Sequence, residues 1–191
     1  MPPLYHQPNI DAVKDMLDYL HGPSDEIFVW TSLRQTGQTL TCIDMIHGLI
    51  ESGVIHKIGI VDRVSSSMIL GILDQAVVGS VHILDHDRCE IMDTVIQTSN
   101  HVEDNDYDLV IVNRVYDGIA RTIKGKKTIA LAELDWAGMM EVYPPTSIVY
   151  DTRDEGLPKW KPEYTNHDLK QAVNAVVLDS ALVKESQHIG E

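Results

Sequence analysis

The sequence predicts a three-layer, doubly wound α/β fold with a mainly parallel sheet. Three observations predict it. Short β-branched runs recur along the chain, stretches of helical periodicity separate them, and several runs are apolar throughout and end on a polar residue. Such continuous runs are the pattern of strands buried on both faces, as in a parallel sheet covered on either side by its crossover helices. Alternating strands and helices joined by right-handed crossovers then give the layered architecture. A length of 191 residues suits one domain with enough chain to bury a proper core.

Taken in order, residues 11–20 read as the first helix, with Val13, Met16, Leu17 and Leu20 on one face. Residues 26–31 form the first strand. Residues 39–52 form a helix carrying Leu40, Ile43, Ile46, Leu49 and Ile50, with Gly53 as its C-cap. A strand over 57–62, a helix over 66–78, a strand over 80–85 and a helix over 89–101 follow. The acidic stretch 101–108 reads as a solvated loop before a strand at 107–113, and further strands are predicted at 127–132 and 147–151. Residues 151–165, with prolines and charges of both signs, read as a surface connector. The last helix spans 166–187, with Asn166 as candidate N-cap and a buried stripe of Leu169, Ala172, Val173, Val176, Val177 and Leu182. The domain organisation is therefore one α/β domain over 1–150, a connector over 151–165, and a C-terminal helix over 166–191 packed on the same domain.

Composition narrows the function. Asp and Glu number 29 against 15 Lys and Arg, giving a formal charge of −14. A chain so acidic does not grip nucleic acid through its whole surface, because phosphate contacts need a basic face. Cys42 and Cys89 are too few for a disulfide framework and read as reduced, buried thiols. No basic segment followed by an apolar stretch opens the chain, and uninterrupted apolar runs such as 109–112 are too short to span a bilayer. A soluble, cytoplasmic protein without membrane insertion is expected.

Ligands of such sheets sit beyond the carboxyl ends of the strands. After the first strand comes Thr31-Ser-Leu-Arg-Gln-Thr-Gly-Gln-Thr39, leading directly into a helix. A phosphate-binding loop of the form G-x-x-x-x-G-K-[ST] cradles phosphates with main-chain N–H groups and a helix N-terminus. Its Lys sits on the β/γ oxygens and its Ser/Thr on Mg²⁺. Aligned on Gly37, Ser32 takes the place of the first Gly, Gln38 that of the Lys and Thr39 that of the Ser/Thr. Gln38 can donate to a phosphate but supplies no cation, which removes much of the stabilisation of a transferring phosphoryl group. Arg34 lies in the same loop as a substitute. The candidate ligand-binding residues are Ser32, Arg34, Thr36, Gly37, Gln38 and Thr39, with Asp62 and Asn113 at the ends of two further strands. The alternative is an ordinary strand–turn–helix junction.

Residues 9–145 resemble the C-terminal ATPase domain of the secretion and pilus-motor ATPases as a pattern of elements and spacings. Residues 10–20 occupy the place of the family's first helix, and 27–39 that of its strand and phosphate loop. Lys57-Ile-Gly-Ile-Val-Asp62-Arg63 resembles the strand of the acidic box. Asp106-Tyr-Asp-Leu-Val-Ile-Val-Asn-Arg-Val-Tyr-Asp117 resembles the Walker B segment, and 127–135 the histidine-box strand. The departures are systematic. The loop Lys is Gln38, the acidic-box Glu is Asp62, the Walker B Gly-Glu pair falls on Asn113 and Arg114, and Glu133-Leu-Asp135 holds no His. The loop is also similar to that of viral terminases and helicases, where Arg-Gln-x-Gly-Lys-Thr is common, although Asn113-Arg114 again replaces the acidic pair. Either resemblance implies a degenerate P-loop NTPase that keeps the fold, takes ATP or ADP with Mg²⁺, hydrolyses little or none, and works as a homo-oligomer or with a partner protein.

Other constellations carry less. His82, Asp85, His86, Asp87 and Cys89 crowd eight residues, but on a strand end His82 and Asp85 point to opposite faces, so a polar loop is expected and no metal site. Ser65, Ser66 and Ser67 begin a helix and read as an N-cap run. Asp62 stands where dinucleotide folds bind a ribose hydroxyl, but no G-x-G-x-x-G precedes it. Trp30, Trp136 and Trp160 read as core or interface anchors. Beside the nucleotide-binding reading stand two others. One is a small-ligand enzyme built from Asp62, His86, Asn113 and Asp135, and the other is a purely structural α/β subunit of a larger assembly.

Overall fold

A computed structural model describes residues 4–33, 35–62, 67–75, 81–84, 88–98, 107–113, 126–133, 146–161, 164 and 166–189. Its strands are β1 (Phe28–Ser32), β2 (Lys57–Asp62), β3 (Val81–Ile83), β4 (Arg88–Ile91), β5 (Thr94–Thr98), β6 (Leu109–Asn113), β7 (Thr128–Glu133) and β8 (Ile148–Asp151). They form one sheet in the order β3-β4-β5-β2-β6-β7-β1-β8. Five of its seven pairings are parallel, so the sheet is mainly parallel as predicted. The described helices are α1 (Gln7–His21), α2 (Gln38–Glu51), α3 (Ser67–Gln75), α4 (Asn166–Asp179) and α5 (Ala181–Ile189).

The hydrophobic pattern explains the layers. Phe28, Trp30, Ile58, Ile60, Leu109, Ile111, Ile129 and Leu131 belong to one cluster with Met16 and Leu17 of α1, Met45, Ile46 and Leu49 of α2, and Leu169, Val173 and Val177 of α4. Successive strand residues point to opposite faces, so the neighbours Val29, Val110, Val112, Ala130 and Ala132 belong to the other side. They are buried too, which means that both faces of the central strands are covered. The side toward α1, α2 and α4 is built from bulky chains and the other from Val and Ala. Gly48 lets α4 approach α2, since a methyl there would sit 3.1 Å from the Val177 side chain.

Three expectations are corrected. Residues 89–101 are not a helix: Arg88–Ile91 and Thr94–Thr98 form an antiparallel hairpin, turning at Met92 with φ 55°. Cys89, Ile91, Thr94 and Ile96 are the buried positions, a period of two broken only by the turn, and Thr94-Val95-Ile96 supplies the β-branched character. The strand predicted over 80–85 is the short edge strand β3, antiparallel to β4 rather than part of the parallel set. The terminal helix is interrupted at Ser180, whose hydroxyl and amide both bond back to the Val177 carbonyl, so α5 begins at Ala181. Its predicted stripe holds: Leu169, Val173 and Val177 are fully buried, and Ala172, Val176 and Leu182 pack partly buried on the core.

The α1–β1 connection is fastened to β7. Tyr19 Oη donates to the Glu26 carbonyl at 2.6 Å and accepts from the Thr128 amide at 3.0 Å. Lys127 Nζ lies over the Tyr19 ring at 4.7 Å and donates to the carbonyls of Gly22 and Ser24. Cys42 and Cys89 are free and buried, and burial pushes the Cys42 thiol up to about 12. Among the described residues no helix is long and apolar enough to cross a membrane.

Candidate functional site

The order of the sheet singles out the carboxyl end of β1. From β1 the chain crosses past β7 and β6 to reach β2, later returns through β6 and β7, and then passes β1 to add β8. β1 is thus an interior strand, parallel to both neighbours, at the point where the strand order reverses. Open α/β sheets bind ligands at such a switch point.

The turn from β1 into α2 is built in left-handed backbone. Gln35 has φ 60°, and Gly37, the N-cap of α2, has φ 88° and ψ 15°. Glycine takes that conformation without the Cβ penalty. It also has no side chain with which to cap, and among the described residues no side chain caps α2. The first N–H groups of a helix lack intrahelical partners. Among the described residues none accepts from the amides of Gln38, Thr39 or Leu40, whereas the Thr41 amide and hydroxyl both bond to the Gly37 carbonyl. The positive end of the α2 dipole adds to these amides.

The sequence-predicted residues fall as follows. Ser32 is buried at the end of β1, and its hydroxyl donates to the Leu33 carbonyl at 3.3 Å. Thr36 is buried and its hydroxyl also bonds to Leu33, at 2.9 Å. Gln38 is 2% exposed, and its Nε2 donates to the Trp30 carbonyl at 2.7 Å, so the carboxamide lies folded inside the turn. Among the described residues neither its buried Oε1 nor the buried Thr39 Oγ1 has a hydrogen-bond partner. Arg34 lies outside the described residues. Asp62 and Asn113 stand side by side in the register of β2 and β6. With strands about 4.8 Å apart, the end of β6 is roughly 10 Å from that of β1 and the end of β2 roughly 14 Å. Asn113 therefore belongs to the neighbourhood of the turn, and Asp62 lies a further strand away.

Of the small-ligand cluster, Asp62 and Asn113 share this edge, while His86 and Asp135 lie outside the described residues. His82 is exposed on β3, at the far margin of the sheet from β1. Among the described residues no group of His, Cys, Asp and Glu is arranged to hold a metal ion. On the other side of β1, Asp151 is paired with Thr31 in register and receives two bonds from the Arg153 guanidinium, at 2.9 and 2.7 Å. The Arg153 side-chain bonds, against a smaller effect of burial, hold the Asp151 carboxyl down at about 2.

Sequence reasoning missed what packs against the turn. Asn9, fully buried on α1, donates from Nδ2 to the Thr36 carbonyl at 2.8 Å. Trp160, from the segment read as a surface connector, donates its main-chain N–H to the Gln35 carbonyl at 2.6 Å. Its indole lies so close over Gly37 that a methyl there would meet the ring at 2.5 Å. His6 and Tyr164 meet the same indole edge to face, at 5.8 and 5.0 Å between centroids. Burial lowers the His6 pKa, opposed by its hydrogen bond to the Pro158 carbonyl, and Lys161 lowers it further. The upstream end of the connector is anchored by Thr152, whose hydroxyl accepts from Trp30 Nε1 at 3.1 Å and donates to the Thr31 carbonyl at 3.2 Å. The one sequence signal for this arrangement is an aromatic residue alone in a charged stretch, Lys159-Trp160-Lys161.

Comparison of the chain with protein-family models, with curated proteins and with solved structures finds no match, so a functional reading stands on the geometry of the chain itself.

Proposed function

We propose that this protein is a degenerate phosphate-loop subunit, binding a nucleotide such as ATP or ADP with little or no hydrolysis and serving as a binding or assembly component. One observation carries the reading. An interior parallel strand runs through a left-handed glycine into a helix whose leading amides are uncapped, at the switch point of the sheet. Main-chain donors and a helix dipole favour an oxyanion at that place. Gln38 supports the non-catalytic half. It spends its amide donor on the Trp30 carbonyl, and it brings no positive charge to a β/γ-phosphate. Asn113, at the end of β6, is likewise neutral where a water-polarising carboxylate would be needed.

The test is isothermal titration of the wild-type chain with ATP, ADP and GTP, with and without Mg²⁺. The expected result is saturable binding of at least one nucleotide that is lost in Gly37→Ala while the circular dichroism spectrum is kept. Absence of binding by all three overturns the reading. ATP turnover that Thr39→Ala abolishes overturns its non-catalytic half.

A further inference from the structure

The connector crosses the β1–α2 turn on few attachments. Thr152 fixes its upstream end to β1, and α4 takes over at Asn166. Between them Glu155, Gly156, Pro158, Lys159 and Lys161 are exposed, and Gly156 takes φ 67° with nothing within 4 Å of a Cβ placed there. Among the described residues, two hydrogen bonds tie residues 156–161 to the body of the domain. The Trp160 amide donates to the Gln35 carbonyl at 2.6 Å, and the His6 ring donates to the Pro158 carbonyl. Trp160 also covers Gly37, so the hold on the turn and the hold on His6 belong to one short stretch of chain.

His6 is the titratable half of this clasp. It is the N-cap of α1, only 5% exposed, and its carbonyl accepts from the Asn9 amide at 3.0 Å. Its ring meets Trp160 and Tyr164 edge to face, with centroids 5.8 and 5.2 Å away, and those two rings meet each other at 5.0 Å. A carbonyl only accepts, so the nitrogen facing Pro158 carries the hydrogen of the neutral ring. The other nitrogen, Nε2, is buried with no hydrogen-bond partner among the described residues. A proton there would bury a charge and an N–H donor that nothing in the cluster accepts. Burial, the largest cause, disfavours the charged ring; the Pro158 bond opposes that, and the Lys161 ammonium on the connector adds to it. Tyr164 is the other titratable group against the ring, and α1 meets it through the uncharged Asn9. Arg34 and Glu163 lie outside the described residues.

We infer that His6 is an acid-sensitive catch: when Nε2 takes a proton from solvent, the connector around Trp160 is released and the β1–α2 turn is uncovered. In the open form water meets both N–H groups of the imidazolium, and the Lys161 ammonium is no longer held beside it. Protonation and opening are therefore linked. A solvated imidazole titrates at about 6.5, and the closed one lower. The clasp is thus fully held above about 6.5 and is lost as the pH falls from there toward the closed-state value. Nothing in this step requires a ligand, so it holds or fails independently of the nucleotide reading.

The experiment follows hydrogen exchange at the Trp160 amide of the full chain from about pH 7.5 to about 5.5, with rates corrected for intrinsic exchange. The His6 ring resonances are titrated by NMR over the same interval. Two variants accompany the wild type. His6→Asn keeps a donor placed like Nδ1 but does not titrate, and His47→Gln removes a second buried imidazole. The expected result is a several-fold fall in Trp160 protection in the wild type as the His6 ring takes up its proton. The fall is kept in His47→Gln and absent in His6→Asn. Wild-type protection that stays level or rises on acidification overturns the inference. A fall that His6→Asn retains, or that His47→Gln removes, also overturns it, because the proton would then act elsewhere.

Discussion

If Trp160 is seated on Gly37 as the geometry has it, an alanine at position 37 is penalised twice, and the two penalties are separable. The first is backbone strain: a Cβ at φ 88° costs about 1–2 kcal/mol. The second is steric, because the new methyl would lie 2.5 Å from the indole Cε3 and Cζ3 and the ring has to move, costing about 1–3 kcal/mol. Gly37→Ala should thus destabilise by about 3.5 kcal/mol. Gly156→Ala isolates the strain, since Gly156 has φ 67° with nothing within 4 Å of its virtual Cβ, and should cost only about 1.5 kcal/mol. Trp160→Ala removes a partly buried ring and its contacts with His6 and Tyr164, about half the cost of a fully buried Trp, or roughly 2 kcal/mol. In the double variant the clash is gone while the strain and the lost ring remain, so the sum is again about 3.5 rather than 5.5 kcal/mol. Urea unfolding of the four proteins reads this coupling of about 2 kcal/mol directly. Additivity within about 0.5 kcal/mol, or Gly37→Ala no costlier than Gly156→Ala, would refute the packing of the connector onto the turn.

Two further predictions concern the scaffold. Tyr19→Phe keeps the ring under Lys127 but strips the oxygen that donates to the Glu26 carbonyl and accepts from the Thr128 amide, so both of these buried or half-buried bonds are lost. A loss of about 1–3 kcal/mol in denaturant unfolding is expected, and a neutral outcome would mean that the clamp between α1 and β7 contributes nothing. His47, buried on α2, donates Nε2–H to the Ile72 carbonyl at 2.7 Å, and burial, the largest cause, lowers its pKa in the fold. Its unfolded form therefore takes up a proton first, so this contribution is complete above about 6.5 and is lost as the pH falls from there toward the folded value. His47→Gln should flatten the slope of stability against pH in that interval, and an unchanged slope would assign the titration elsewhere.

The architecture was legible because burial on both faces leaves a mark on composition. In Phe28–Ser32 and Leu109–Asn113 every residue is buried, and a run without alternation is what the sequence displays. The hairpin of β4 and β5 was misread for a related reason. Cys89, Ile91, Thr94 and Ile96 keep a period of two only up to the Met92-Asp93 turn, and a one-residue phase shift there lets the same apolar residues pass for a helical stripe. Only Met92 at φ 55° betrays the turn, and methionine is not a residue that announces left-handed backbone. The break at Ser180 is equally quiet. It depends on a hydroxyl bonding back to the carbonyl three residues earlier, a local competition that leaves the apolar stripe continuous across it.

The candidate site divides along the same line between local and distant information. Gly37 before a helix, after an apolar strand, is a local signal, and the left-handed N-cap follows from it. What lies over Gly37 is not local: Trp160 is 123 positions away, and it reaches the turn only because Thr152 locks onto β1 beyond β8 and α4 then packs against α2. Motif reading weighs a loop by the residues inside it, so replacement of the loop lysine by Gln38 looks like plain loss of function. A ring that folds back across the loop leaves no trace at the motif's own spacing. That contact is set by the packing of elements far apart in the chain, and no spacing within the loop itself can report it.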